Sequence, residues 1–144
     1  MEKAFQTTLE VRLFDCDAQG HMAGAAYLNY ANHALWSCLR SAGVDVSALL
    51  RDGFGPVHLE TKVRFLSEFR AGDIVTLTCT LTFDGGKTYR VRNEFRKDPN
   101  TLGAEVESVC GLLDLSSRRL HPHPAEEWRK RAGRTDLLGL TPLP

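Results

Sequence analysis

The stretch Asp15-Cys16-Asp17-Ala18-Gln19-Gly20-His21 separates two kinds of pattern in this chain. Before it, residues 8–14 alternate, with Leu9, Val11 and Leu13 against Glu10 and Arg12. That period of two predicts a strand with one buried face. After it, Tyr27, Leu28, Ala31, Ala34, Leu35, Cys38, Leu39 and Ala42 recur at helical spacing. They predict a helix over 25–42 with a broad apolar face toward a core. Gly43 stands where a helix is commonly closed. A strand-to-helix turn needs only an Asp and a Gly. Two acids, a thiol and a histidine at one junction mark it as a place to look for chemistry.

Downstream, Asp45 can cap a short helix over 46–51. The period of two returns over 57–65 and 74–83. Asp84-Gly85-Gly86-Lys87 is a tight hairpin signal, with the return strand over 88–96. Asp98-Pro99-Asn100 turns the chain into a last strand over 102–115. A short exposed helix over 125–131 and a frayed tail over 139–144 complete the expectation. Hairpin-linked strands form an antiparallel sheet, and one long apolar helix must be covered by it. The pattern is therefore α+β, with a curved antiparallel sheet wrapped around one long central helix. The 144 residues form one domain, with the tail from about 133 peripheral. Open sheet edges invite pairing, so a dimer joined edge to edge is expected.

Lys plus Arg number 18 and Asp plus Glu number 18, a formal net charge of zero. This balance disfavours nucleic acid as a partner and a polybasic membrane anchor. No apolar run is long enough to span a bilayer, and the first ten residues lack the apolar core of a secretory signal, so a cytoplasmic location is expected. Cys16, Cys38, Cys79 and Cys110 contain no closely spaced pair, which disfavours a zinc site. All four are read as reduced, with the last three in apolar runs.

The chemistry of the junction follows from the helix. A helix starting near Gly24 leaves its first backbone N–H groups without intrahelical partners, and these attract an oxyanion. Asp17 lies a few residues upstream. A carboxylate beside an oxyanion site suits acyl transfer, and thioesters above all. A thiol leaves as thiolate with a pKa of about 8.5, so the leaving group needs little help from an acid. No G-x-S-x-G nucleophile elbow is present.

The run from Arg12 to Tyr30, with Asp17, Gly20, His21, Tyr27 and Tyr30 in place, resembles the opening signature of the hotdog-fold thioesterases of the 4-hydroxybenzoyl-CoA thioesterase family. A second landmark of that family is matched by Val63-Arg64-Phe65-Leu66 followed by Gly72-Asp73. The resemblance covers about residues 8–116. It implies an acyl-CoA thioesterase, active as a homodimer or homotetramer with its site at a subunit interface. It implies no cofactor, coenzyme A being part of the substrate. It places the essential carboxylate at Asp17, as nucleophile or as general base, and the carbonyl-polarising N–H at Gly24. Many relatives read G-H-V-N-N after the acid, whereas this chain reads Gly20-His21-Met22-Ala23-Gly24. The small residues suggest more room beside the helix start.

Other residues carry two readings each. His21 either holds the loop or meets substrate or water. His58 and Glu60 would share one strand face, as substrate contacts or as a solvated face with Lys62 and Arg64. Tyr27 and Trp36 are core or pocket wall. Lys87, Arg90, Arg92 and Arg118-Arg119 are candidates for the phosphates of coenzyme A. Asp15 is read as a hydrogen-bonding neighbour. A magnesium ion on Asp15 and Asp17 is disfavoured, because no further carboxylate clusters with them in sequence. Two other functions stand beside the hydrolase: a hydratase or dehydratase, which usually carries a different loop, and a non-catalytic acyl-binding module.

Overall fold

The computed structural model describes residues 4–142. Five strands form one antiparallel sheet: β1 (Phe5–Glu10), β2 (Phe54–Phe65), β3 (Ile74–Phe83), β4 (Thr88–Asp98) and β5 (Thr101–Asp114). Their spatial order is β1-β3-β4-β5-β2, so β1 and β2 are the edges. Helix α1 (Gly24–Ser41) packs on the sheet; α2 (Val46–Arg51) and α3 (Pro124–Arg131) lie near its ends.

Alternation decides the sheet. Val75, Leu77, Cys79 and Leu81 of β3 are buried, as are Tyr89, Val91 and Phe95 of β4 and Ala104, Val106, Cys110 and Leu112 of β5. Against them α1 lays Ala26, Tyr27, Tyr30, Ala31, Ala34, Leu35, Cys38 and Leu39. Every third or fourth residue is buried, and the alanines let helix and sheet approach closely. Gly43, at φ 89°, ends the helix. The Asp45 carboxylate accepts the Ala48 N–H at 3.1 Å and caps α2, as its sequence position predicts.

Four expectations are corrected. The first strand stops at Glu10 rather than running over 8–14. The Asp15 N–H donates to Arg12 O and the Cys16 N–H to Leu13 O, so a 3-10 turn, Leu13–Asp15, replaces the strand. Leu13 and Phe14 are then 79% and 84% exposed, although Leu13 continues the apolar alternation. The helix expected to be exposed, α3, buries Trp128 completely, because that face packs on the sheet. The Trp128 ring meets Tyr89 edge-on at 6.3 Å.

The tail is not peripheral from 133. The N–H groups of Gly133 and Arg134 both donate to Ala42 O, and Leu138 and Leu140 are buried. Leu143 and Pro144, at the end of the expected frayed segment, lie outside the described residues. Finally, β2 carries a bulge between His58 and Glu60, where the register passes from His58↔Cys110 to Glu60↔Val109. The extra residue, Leu59, reverses the faces downstream of it. His58 therefore shares its side with Thr61, and Glu60 does not.

Candidate functional site

The junction loop is held by backbone bonds from two directions. Cys16 and Met22 bridge across it, and the Gly20 N–H donates to Asp17 O at 3.0 Å. His21 bridges to Arg70, and the Met22 N–H donates to Phe69 O at 2.8 Å. The Ala23 N–H donates to Asp15 O at 2.8 Å and fixes where α1 begins. Asp15 itself is a positioning acid: Tyr30 Oη donates to its Oδ2 at 2.7 Å, and the same hydroxyl accepts the Arg12 N–H at 3.2 Å. Burial, then the bond to Asp15, raises the Tyr30 pKa, so the phenol stays protonated.

At the start of α1 lies a groove of about 450 Å³. Its walls include His21, Gly24, Tyr27, Phe65, Leu66 and Glu68. Phe65 and Leu66 are 59% and 49% exposed. Phe65 packs edge-on against Tyr27, with ring centroids 5.1 Å apart. Among the described residues no backbone acceptor takes the N–H of Gly24 or Ala25, while the Ala26 N–H returns to Ala23 O. Gly24, which lines the groove, thus carries a free donor at the positive end of an 18-residue helix. Burial, then the Glu68 charge, raises the Tyr27 pKa and keeps its phenol neutral.

Asp17 does not line this groove, whereas His21, Gly24 and Tyr27 do. The Asp17 Oδ1 accepts the Gln19 N–H at 2.9 Å and its side chain is exposed.

His58 lines a second cavity of about 230 Å³, further along α1, with Leu28, Asn32, Thr61 and Ser108. Leu28, read from spacing as core, is 41% exposed and forms this wall. The surrounding walls desolvate the His58 ring and lower its pKa, which keeps it neutral at pH 7. Glu60 is exposed and lines neither cavity. Lys87, at the β3–β4 hairpin, lies at the opposite end of the sheet from the groove, and Arg90 part of the way back along β4. Phe65 pairs with Ala104 and Thr88 with Gly111, so about 24 Å of β5 separates the two positions. Arg92 is engaged by Glu105 on the other face of the sheet, together with Arg64.

Glu68 is the groove residue that pattern reading missed. It lies in an ordinary polar turn, and only the bridge between residues 21 and 70 brings it to α1. Cys16 donates to Arg12 O at 3.6 Å and serves the turn. Burial pushes the Cys110 thiol up to about 11. The Cys38 hydrogen bond and burial push Cys79 up. Both are neutral thiols, not nucleophiles. Among the described residues no group of three or more His, Cys, Asp or Glu could hold a metal ion, and no helix is long and apolar enough to cross a membrane.

Comparison with known proteins bears on this geometry. The family model of the thioesterase-like superfamily matches residues 11–132. Over 73 residues the chain is 32% identical to the chloroplastic acyl-acyl carrier protein thioesterase ATL3 of Arabidopsis thaliana, covering 51% of this chain and 38% of that protein. The match thus spans well under half of the plant relative. A 1,4-dihydroxy-2-naphthoyl-CoA thioesterase from Synechocystis superposes with a TM-score of 0.80 at 20% identity, over 90% of this chain and 95% of that one. A Staphylococcus aureus protein solved in complex with CoA gives 0.81 at 21% identity, over 100% and 91%. A 4-hydroxybenzoyl-CoA thioesterase complexed with its substrate gives 0.79 at 11% identity, over 92% and 100%. With a sheet wrapped on one helix and a family match over most of its length, the chain belongs to the thioesterase-like superfamily and has the hotdog fold.

Proposed function

We propose that this protein hydrolyses acyl-CoA thioesters to a free acid and coenzyme A. The observation that carries the reading is the free N–H of Gly24, a residue in the wall of the groove beside the Asp17 loop. The Gly24 N–H receives the thioester oxygen as it gains negative charge. The acyl group rests against Tyr27, Phe65 and Leu66. Asp17 attacks the carbonyl carbon: the Gln19 N–H holds Oδ1, which leaves Oδ2 for the new bond. The C–S bond breaks and the thiolate departs without needing an acid. Water then hydrolyses the acyl-Asp17 anhydride and restores the carboxylate. The choice of coenzyme A as carrier is supported by the names of the solved relatives, and acyl carrier protein is the competing carrier suggested by the plant relative. A second copy paired along β2 would cover the exposed edge and the two cavities beside it, completing the site as a homodimer, with tetramers formed from such pairs.

The test is free-thiol release from a panel of aromatic, short, medium and long acyl-CoAs by wild type and Asp17→Asn. Hydrolysis of at least one member, reduced about 10²-fold or more in kcat by the substitution, supports the reading. Activity that survives Asp17→Asn removes Asp17 from the chemical step. An enzyme inert toward every acyl-CoA yet active on acyl carrier protein changes the carrier, and one inert toward both is a binding module.

A further inference from the structure

We infer that His21, oriented by Glu68, is the base that activates water against the acyl-enzyme, so that Glu68 is a positioning residue for the reaction proposed above, on which this inference rests. His21 and Glu68 reach the same groove wall from different segments, one before α1 and one after β2. His21 Nε2 lies 3.1 Å from Glu68 Oε2, and Arg70 Nη2 donates to Glu68 Oε1 at 2.8 Å. Arg70 is anchored in turn, its backbone N–H donating to Asp73 Oδ2 at 2.8 Å. Each carboxylate oxygen of Glu68 thus has a neighbour, His21 on one and Arg70 on the other.

The loop does not need this side-chain pair in order to fold. The backbone bridge between His21 and Arg70, and the Met22 N–H to Phe69 O bond, already join the two segments. The His21 side chain is 28% exposed and that of Glu68 46%, and ion pairs so exposed add little stability. What the pair does set is the direction of the ring: Nε2 faces the Glu68 carboxylate, and Nδ1 is the nitrogen left to meet water.

The step balances as follows. The water oxygen bonds to the acyl carbon of the anhydride while its proton passes to His21 Nδ1. The bond from that carbon to Asp17 Oδ2 breaks, and its electron pair restores the Asp17 carboxylate. The free acid leaves, and the imidazolium returns its proton to the thiolate or to solvent. No oxidant, metal or co-reactant beyond water enters.

The experiment measures thiol release on an acyl-CoA that wild type hydrolyses, for His21→Ala and Glu68→Gln, by rapid mixing and at steady state. His21→Ala is expected to keep an initial burst of thiol and to lose about 10²-fold in kcat. Added free imidazole is expected to restore part of that kcat, which a structural histidine would not allow. Glu68→Gln is expected to lower kcat about 10-fold with KM little changed. A His21→Ala variant with wild-type kcat, or one whose loss imidazole does not restore, overturns the inference. So does a Glu68→Gln variant at full kcat, which keeps the test open if His21→Ala fails to fold. Wild type that releases no thiol from any acyl-CoA overturns the proposed function instead, a result distinct from an active enzyme indifferent to His21.

Discussion

The two ends of α1 are finished in opposite ways. At its C-terminal end Ala42 O accepts two N–H groups, from Gly133 and Arg134, and Cys38 Sγ donates to Leu137 O at 3.5 Å. Trp128, Leu138 and Leu140 close over the surrounding core. At its N-terminal end the N–H groups of Gly24 and Ala25 meet no backbone acceptor among the described residues, and Phe65 and Leu66 stay largely exposed. One end spends residues on satisfying the helix. The other leaves its donors to water and its apolar surface open, an arrangement able to receive a ligand.

The largest effect that would break this contrast lies at the sealed end. Trp128→Ala empties a fully buried site and should cost about 3–5 kcal/mol of unfolding free energy, read by denaturant titration. An effect under 1 kcal/mol would mean that α3 does not close the core.

At the open end, Gly24→Pro tests the donor without disturbing the helix. Gly24 is the first helical residue, where proline is tolerated, and Ala23 at ψ 146° already has the extended conformation that precedes proline. Loss of this one N–H should lower kcat about 10²- to 10³-fold with an unchanged melting temperature. Gly24→Ala keeps the N–H, and its Cβ would sit 3.6 Å from Phe65 Cζ, an ordinary contact. Its kcat should stay within a few-fold of wild type, so the pair separates donor from bulk.

Gly139→Ala sharpens the sealed side. Gly139 has φ 68°, and a Cβ there would lie 2.7 Å from Leu81 O. About 1–3 kcal/mol of destabilisation is expected from the strained backbone, measured by thermal melting. Activity at 25 °C should change little.

The pH response should have two limbs. Cys110, raised from about 9 to about 11, and the tyrosines Tyr27, Tyr30 and Tyr89, all raised by burial, are neutral acids in the folded chain. The unfolded chain ionises them first, so stability is full below about pH 9 and falls as pH rises toward and through 11. His58 has its pKa lowered by desolvation. The unfolded chain takes its proton first as pH drops below 6.5, so stability falls there. Melting temperatures across pH 5–11 check both limbs. A melting temperature that holds constant from about pH 9 to 11 would show that these raised acids contribute nothing. His58→Gln should flatten only the acid one.

Local pattern carried a great deal of this. The β3 strand, the helix α2 with its Asp45 cap, and the hairpin at Asp84 follow from residues near one another in the chain, because alternation and turn chemistry are local forces. So does the junction before Gly24, where an acid, a glycine and a helix start are written in order. The first strand was overextended because Leu13 fits the alternation, while two turn hydrogen bonds, invisible to period, end the strand at Glu10.

Other features depend on what meets what across the fold. His58 and Glu60 are two apart in sequence and would share a face, but a bulge at Leu59 separates them, and only the pairing with β5 reveals it. Lys87 beside its glycines reads well as a phosphate contact, yet the sheet carries it away from the groove. Glu68 offers no motif at all and reaches His21 through a bridge between segments nearly fifty residues apart. The sequence by itself determined the class of fold, the location of the helix start and the carboxylate on its loop, because each is set by neighbours along the chain. Only the tertiary structure decided which end of the helix stays open and which side chains share its groove, because those depend on contacts between residues far apart in sequence.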